Sequence, residues 1–144
     1  MKVDVLVEGC RTDDYSGKVK VSRNICCSVV LIRCCGHNIV VDPGGPDYSK
    51  KVLKKISQLK VKPEDVDIIV NTHYHLDHVY NNFIFPKAKI YSGSSIWAPG
   101  PNNQVEMFPN IEDAPIPCVK LIKTPGHMDK HISVVFEKDG RTWV

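Results

Sequence analysis

The densest group of metal-binding side chains lies between residues 73 and 78, and it contains His73, His75, Asp77 and His78. In an extended chain, alternate side chains point to the same side, so His73 and His75 can reach one ion. If a helix begins immediately afterwards, Asp77 and His78 turn toward a second, adjacent metal position. This density favours a metal site over a polar loop with solvated histidines. Imidazole and carboxylate ligands suit zinc, and iron or manganese are also admissible.

Two regular elements are predicted to position this group. Residues 66–70 form an apolar, β-branched run that indicates a buried strand, so the histidines follow the end of that strand. Upstream, apolar residues recur with helical spacing from Tyr48 to Leu59, and Pro46 suits the first turn of a helix. Alternation of strand, helix and strand predicts an α/β arrangement in layers.

The remaining chain divides into short strands and two long loops. The predicted strands lie at residues 3–7, 19–22, 27–33, 39–41, 88–91 and 119–122. A hairpin is predicted from residues 132–136 and 141–144, across the turn 138–140. Residues 9–18 are predicted to be a loop because they are rich in Asp, Ser and Gly. Residues 97–117 contain five prolines and little periodicity, which also indicates a long loop.

Composition limits the classes of protein that fit. A chain of 144 residues is predicted to be one domain, residues 1–144. The formal charge of +3 is too small to indicate nucleic-acid binding by itself, and no segment has about 20 consecutive apolar residues. Asp4 stands where a secretory signal would be apolar, so the predicted location is cytoplasmic, with the nucleus as an alternative. The six cysteines are therefore expected to be free thiols that mainly pack in the core.

Several short segments extend the histidine motif into a family resemblance. They are Asp42-Pro43-Gly44-Gly45-Pro46, Pro63-Glu64-Asp65-Val66, Phe85-Pro86, Thr124-Pro125-Gly126-His127 and Ile132-Ser133-Val134-Val135. With the motif at 73–78, they resemble the metallo-β-lactamase-fold hydrolases, and within them the animal group called metallo-β-lactamase domain-containing protein 1. The resemblance implies an αββα sandwich, a two-zinc centre and a homodimer. It also implies an endoribonuclease that cleaves histone pre-mRNA.

The resemblance also implies roles for individual residues. His73, His75 and His127 would bind the first metal, and Asp77 with His78 would bind the second. Asp77 would in addition orient a metal-bound water or accept its proton. Asp42 is expected to orient one of the imidazoles from behind, with a turn-forming Asp as the alternative. His131 is expected to be a supporting residue rather than a ligand.

Three functions remain open from the sequence. The first is a zinc-dependent phosphodiesterase or endoribonuclease acting on RNA. The second is a thioester or lactone hydrolase of the glyoxalase II type, and the third is a metal-binding protein without turnover.

The third function is kept because the resembled family continues beyond the strand at 141–144. A following Gly-Asp bridges its two metals there, and a later histidine completes its second site. We therefore expect a domain that is incomplete at the C-terminus, with its second sheet truncated, about one zinc ion, weak activity and self-association. The chain also departs from the pattern of the resembled family at three local positions. Tyr74 and Leu76 stand where close relatives carry small residues, and Asp42-Pro43 replaces Asp-Thr.

Overall fold

The computed structural model describes residues 1–102 and 104–144, which form twelve strands and two α-helices. The strands are β1 (Lys2–Val7), β2 (Cys10–Ser16), β3 (Val19–Cys26), β4 (Val29–Cys34), β5 (His37–Val41), β6 (Ile68–Asn71), β7 (Lys89–Ser92), β8 (Ser95–Ala98), β9 (Gln104–Met107), β10 (Lys120–Lys123), β11 (Ile132–Lys138) and β12 (Arg141–Trp143). The helices are α1 (Ser49–Gln58) and α2 (Leu76–Val79). Short 3-10 helices lie at Pro46–Tyr48, Pro63–Asp65, Tyr80–Ile84 and Ile111–Asp113.

The strands form three sheets. Seven of them make one mixed sheet in the order β1-β4-β5-β6-β7-β8-β9, in which β6 runs parallel to both β5 and β7. Strands β10, β11 and β12 form a second, antiparallel sheet, and β2 pairs only with β3 in a separate hairpin. The other neighbouring pairs of the large sheet are antiparallel.

The large sheet is buried on both faces because its inner strands carry apolar residues at successive positions. Leu31, Val40 and Ile69 pack on one face with Val52 and Ile56 of α1. Their chain neighbours lie on the opposite face, where they pack with residues of the three-stranded sheet. That second cluster includes Ile32, Ile39, Val70, Leu121, Ile132 and Val134. The result is a helix layer, the large sheet and a second sheet, which confirms the predicted α/β layering.

The parallel strands place the candidate metal site at one edge of the large sheet. Asp42 follows β5, and Thr72 and His73 follow the adjacent parallel strand β6. The backbone amide of Asp42 donates to the Val70 carbonyl at 2.9 Å, which extends the strand pairing to this point. Residues that follow neighbouring parallel strands meet at the carboxyl edge of a sheet, which is where α/β proteins most often bind ligands.

Two stretches predicted to be loops contain strands, so the loop prediction was wrong for residues 10–16 and for residues 97–98 and 104–107. The predicted strand at 19–22 lies within β3 and is confirmed. Residues 10–26 form the β2–β3 hairpin, with Gly17 at a φ of 61° in its two-residue turn. Nearly all its side chains are exposed, so the segment lacks the alternation that indicates a half-buried strand. Strands β8 and β9 form a hairpin that overlaps the predicted 97–117 loop, although Gln104–Met107 is wholly exposed. Residues 108–117 contain no strand, as predicted.

Other element predictions agree with the structure. The hairpin of β11 and β12, the amphipathic helix α1 and the buried strand β6 lie within a few residues of their predicted positions. All six cysteines are free, and three of them are buried. Among the described residues, no helix is long and apolar enough to cross a membrane.

Candidate metal centre

Three histidines converge at the edge of the large sheet. The Nε2 atom of His73 lies 3.0 Å from Nδ1 of His75, and that Nδ1 lies 3.0 Å from Nε2 of His127. All three candidate ligand atoms lie within 4.8 Å of one another. His73 is buried, whereas His75 and His127 are exposed, so the group has a protein side and an open side.

The convergence depends on both sheets. His73 follows β6, and His75 lies immediately before α2, whose first turn is closed by a 2.9 Å bond from the His78 amide to the His75 carbonyl. His127 belongs to the loop between β10 and β11 of the second sheet. A 2.9 Å hydrogen bond from the Ile132 amide to the Thr72 carbonyl ties the start of β11 to the residue before His73.

Thr72 and Asp42 form a hydrogen-bonded support behind the histidines. Asp42 is 5% exposed, and its carboxylate accepts from the amide and the hydroxyl of Thr72, both at 2.7 Å. Since that hydroxyl donates to Asp42, it can accept from Nδ1 of His73, which lies 3.0 Å away. A proton on Nδ1 leaves the Nε2 lone pair of His73 facing the other two imidazoles. Sequence analysis did not assign Thr72, and its only signal was its position directly before the motif.

Asp42 also holds His78. Its Oδ2 lies 2.8 Å from Nδ1 of His78, while the other ring nitrogen of His78 lies 3.6 Å from Oδ2 of Asp77. Burial lowers the pKa of His78, but the hydrogen bond and charge of Asp42, with the charge of Asp77, outweigh it and raise the pKa overall. Asp77 and His78 thus form a second polar pair beside the three-histidine group. Within the described chain these two side chains do not join that group as a fourth or fifth convergent ligand.

The His73 ring is held in a form that suits metal binding. Burial, assisted by the neighbouring His78, lowers the pKa of His73 to about 4, so its ring is neutral at pH 7. The ring of His131 stacks on that of His73, with centroids 5.2 Å apart, and its Nδ1 lies 2.8 Å from the Thr124 hydroxyl. His131 therefore contacts a candidate ligand by ring packing and is tied to the loop that carries His127.

The residues fit a small divalent cation. A tetrahedral zinc site with zinc–nitrogen bonds of about 2.0–2.1 Å separates its ligand nitrogens by roughly 3.3 Å. Both 3.0 Å separations at His75 are close to that value. Cys27 is close to the site, but burial raises the pKa of its thiol, so the thiol stays protonated. The available donors are thus three imidazole nitrogens, with an exposed side left for water or substrate.

A cavity of about 480 Å³ opens beside the histidines, and one of its walls is the β2–β3 hairpin. Its lining residues are Arg11, Ser22, Ile25, Cys26, Cys27, His75, Leu76, Asp77, His78 and His127. Leu76 is 71% exposed and borders the cavity, whereas the Tyr74 hydroxyl donates to the Ser92 carbonyl at 3.3 Å. Arg11 was missed because residues 9–18 were predicted to be a loop, and Ser22, at the end of the predicted strand 19–22, was not connected to the site. Gly17 and Lys18 in a two-residue turn were the available signal.

Comparison with known proteins identifies the class. The family model of the metallo-beta-lactamase superfamily matches residues 27–144. The chain therefore belongs to the metallo-beta-lactamase superfamily, which confirms the family resemblance found in its motifs. Its fold is similar to that of a Thermotoga maritima protein of metallo-beta-lactamase type, with a TM-score of 0.70 at 21% identity, over 96% of this chain and 73% of the other.

Curated relatives of the chain include proteins named as hydrolases. It is 36% identical over 99 residues to a probable metallo-hydrolase of Methanocaldococcus jannaschii, covering 69% of this chain and 46% of the relative. It is 34% identical over 104 residues to metallo-beta-lactamase domain-containing protein 1 of Rattus norvegicus, covering 69% and 40%. A hydroxyacylglutathione hydrolase of Nostoc is 35% identical over 103 residues, covering 67% and 37%. The chain spans less than half the length of each of these relatives.

Proposed function

We propose that the chain is a zinc-dependent hydrolase whose substrate is a phosphodiester of single-stranded RNA. The observation that carries the hydrolase proposal is the convergence of His73 Nε2, His75 Nδ1 and His127 Nε2 beside an open cavity. Three imidazoles with one open side are the ligand pattern of catalytic zinc rather than of a closed structural site. When bound there, zinc supplies a Lewis acid and a water that ionises near neutral pH.

The protein residues around the cavity have distinct tasks in this proposal. Thr72 and Asp42 hold His73 and His78 in position through hydrogen bonds of 2.7–3.0 Å. Asp77 borders the cavity with a partly exposed carboxylate, so it can orient a water molecule and accept its proton. His78, fixed by Asp42, keeps its second nitrogen directed at Asp77 and can complete a second cation position with it.

The choice of an RNA phosphodiester is supported by charge and by likeness. The hairpin that forms one cavity wall carries four basic and two acidic residues between positions 10 and 26, a net charge of +2. A positive wall attracts a polyanion. The likeness to metallo-beta-lactamase domain-containing protein 1 of rat, and the endoribonuclease activity implied by the motifs, favour the same class.

A thioester is the second candidate, supported by a different observation. Hydroxyacylglutathione hydrolases of Nostoc and Buchnera are 35% and 34% identical to the chain over the region matched. The same three-histidine group with a neighbouring carboxylate can hydrolyse a thioester or a lactone as well as a phosphodiester, so the metal centre by itself does not choose among them.

The experiment compares substrates and one variant. The zinc-loaded chain is assayed with a 5′-labelled single-stranded RNA, a glutathione thioester and a lactone. Asp77→Asn keeps the size of the side chain but removes its basicity, so turnover should fall by at least about a hundredfold. Asp139→Asn is the matched control, because Asp139 is 82% exposed in the β11–β12 turn, remote from the cavity.

Each outcome has a defined meaning. RNA cleavage that depends on Asp77 supports the leading proposal, and exclusive thioester turnover supports the second candidate. Zinc binding without turnover of any of the three substrates contradicts the hydrolase proposal and leaves a metal-binding protein. Equal activity of Asp77→Asn and Asp139→Asn contradicts a role of Asp77 in the reaction.

A further inference from the structure

The β2–β3 hairpin brings one permanently charged cation into the wall of the metal-site cavity. Among the described residues that line this cavity, Arg11 is the only arginine or lysine, and it shares the lining with His75, His127 and Asp77. The hydrogen bond and the charge of Asp13 raise the pKa of Arg11, and the charge of Asp77 adds a smaller contribution. Arg11 thus makes its contacts within the hairpin and also lines the cavity that holds the metal site.

One edge of the Arg11 guanidinium is hydrogen-bonded to other residues of the hairpin. Nε donates to Oδ1 of Asp13 at 2.8 Å, and Nη2 donates to the Ser22 hydroxyl at 3.2 Å. Ser22 in turn donates to the same Asp13 oxygen at 2.7 Å, which closes a ring of three hydrogen bonds. These contacts join β2 to β3 and restrict rotation of the arginine side chain.

The opposite edge of the guanidinium is available to a ligand. Nη1 and the second hydrogen of Nη2 form that edge, and neither donates to any residue in the described ranges 1–102 and 104–144. The charge is not cancelled by Asp13 alone, because Lys20 Nζ lies 2.9 Å from Oδ2 of the same carboxylate. Two cations thus share one anion, and the fork of Arg11 keeps two parallel donors for a pair of acceptor oxygens.

We propose that Arg11 binds an anionic oxyacid group of the substrate, a phosphate or a carboxylate, next to the bond that is cleaved. The inference rests on the proposed function for the position of that bond, and it names a specificity-determining residue within that site. A held guanidinium with a free edge suits bidentate recognition of two oxygens, whereas a neutral ester or thioester carbonyl offers one.

A second arginine on the same hairpin provides the control. Arg23 pairs with Asp14 across the strands at 3.4 Å, and both side chains are more than half exposed. Arg23 does not line the cavity. Replacement of either arginine removes one positive charge and one ion pair from the hairpin, but only Arg11 is placed to touch a ligand beside the metal centre.

Binding is measured first, without turnover. Calorimetric titration of the zinc-loaded chain with diphenyl phosphate and, separately, with benzoate is compared for wild type, Arg11→Gln, Arg11→Lys and Arg23→Gln. Arg11→Gln should weaken binding about tenfold or more, as expected for loss of a charge-assisted bidentate contact. Arg23→Gln should change it less than about twofold, and Arg11→Lys should give an intermediate loss because it keeps the charge without the fork.

The two anions distinguish the source of the oxyacid group. If Arg11→Gln loses more affinity for diphenyl phosphate than for benzoate, the bound group is a phosphate. If it loses more affinity for benzoate, the bound group is a carboxylate. Equal affinities of Arg11→Gln and Arg23→Gln for both anions overturn the inference. Thermal unfolding of each variant shows whether the fold is retained. If Arg11→Gln does not fold, the anion affinity of Arg11→Lys decides the outcome, because lysine can still pair with Asp13.

Kinetics then separate this inference from the proposed function. Bis(4-nitrophenyl) phosphate is an anionic substrate and 4-nitrophenyl acetate is a neutral one. Arg11→Gln should raise KM about tenfold for the anionic substrate, leave its kcat within about twofold, and leave the neutral ester unaffected. Equal effects on both substrates overturn the inference. A zinc-loaded wild-type chain that hydrolyses neither substrate contradicts the proposed function, while the titrations still decide whether Arg11 binds the anion.

Discussion

The carboxylate of Asp42 lies 2.8 Å from Nδ1 of His78, a residue 36 positions further along the chain. Asp42 adopts a φ of 47°, a left-handed conformation that asparagine and aspartate tolerate better than most residues. Because a carboxylate accepts hydrogen bonds, it favours the His78 tautomer that carries its proton on Nδ1. The same carboxylate reaches His73 through the Thr72 hydroxyl, so one buried acid orients two imidazoles.

Asp42→Asn should therefore weaken metal binding while preserving the backbone. Asparagine fits the left-handed conformation, but its amide group places a donor where Thr72 and His78 both need an acceptor. Loss of such a supporting contact costs about 10–100-fold in metal affinity. Zinc affinity is measured by competition with a chromophoric chelator. Asp67→Asn is the control, since Asp67 accepts from the Asn38 amide at the opposite end of β5. Equal affinities of the two variants would contradict the orienting role.

His73→Ala and His127→Ala should each remove most of the bound zinc. Each change deletes one of the three convergent nitrogens, and two remaining ligands leave the site far from the usual coordination of zinc. Metal analysis after dialysis should show close to one zinc per wild-type chain and little in either variant. His37→Ala should behave as wild type, because His37 begins β5 and lies beside Asp67. Unchanged zinc content in both ligand variants would refute the assignment.

Removal of the metal should lower the thermal stability of the chain. The three ligands come from segments of two different sheets, so the complete site exists only in the folded state. With free zinc at 100 times its dissociation constant, the free energy of unfolding should rise by about 2.7 kcal/mol. Differential scanning calorimetry with and without a chelator measures the effect, which His127→Ala should abolish. An identical Tm under both conditions would mean that zinc does not bind preferentially to the folded chain.

Cys27 should resist alkylation until the chain unfolds. Burial, followed by the charge of Asp42, raises the pKa of its thiol, so the reactive thiolate is scarce at pH 8. Cys10 is exposed and should react first with iodoacetamide. Because its pKa is raised, the thiolate of Cys27 forms only at a pH well above that at which ordinary thiols ionise. As the pH is increased, labelling of Cys27 should therefore begin at a higher pH than labelling of Cys10. Peptide mass spectrometry in native and denaturing buffer measures the difference. Rapid native labelling of Cys27 at pH 8 would contradict this expectation.

The sequence was most informative where burial imposes a pattern. Strand β6 has a buried residue at every position because it lies at the centre of the large sheet, between α1 and the second sheet, and this produces its apolar run. The motif that follows it was readable because its metal-binding side chains are so closely spaced. These features also made the α/β class predictable, and the structure confirms it.

The missed elements are those that bury little. The β2–β3 hairpin is exposed on both faces, so its strands are defined by backbone pairing that imposes no hydrophobic alternation. Strand β9 is exposed at the edge of the large sheet. Arg11 could not be assigned to the same cavity as His127 from the sequence, since the hairpin becomes a wall of that cavity only in the folded chain. The roles predicted for Asp77 in catalysis, for His78 as a ligand of a second metal and for His131 as a supporting residue stay predictions, although their positions are now defined.

The hydrogen bond from the Ile132 amide to the Thr72 carbonyl makes one backbone proton a reporter of the metal centre. Breaking this hydrogen bond separates the start of β11 from Thr72, the residue that precedes His73. The loop that carries His127 lies directly before β11. An ion shared by His73 and His127 would have to release one of them before that amide meets solvent. Its exchange with deuterium should therefore slow on metal addition, so occupancy of the site can be followed at a residue that touches no ligand.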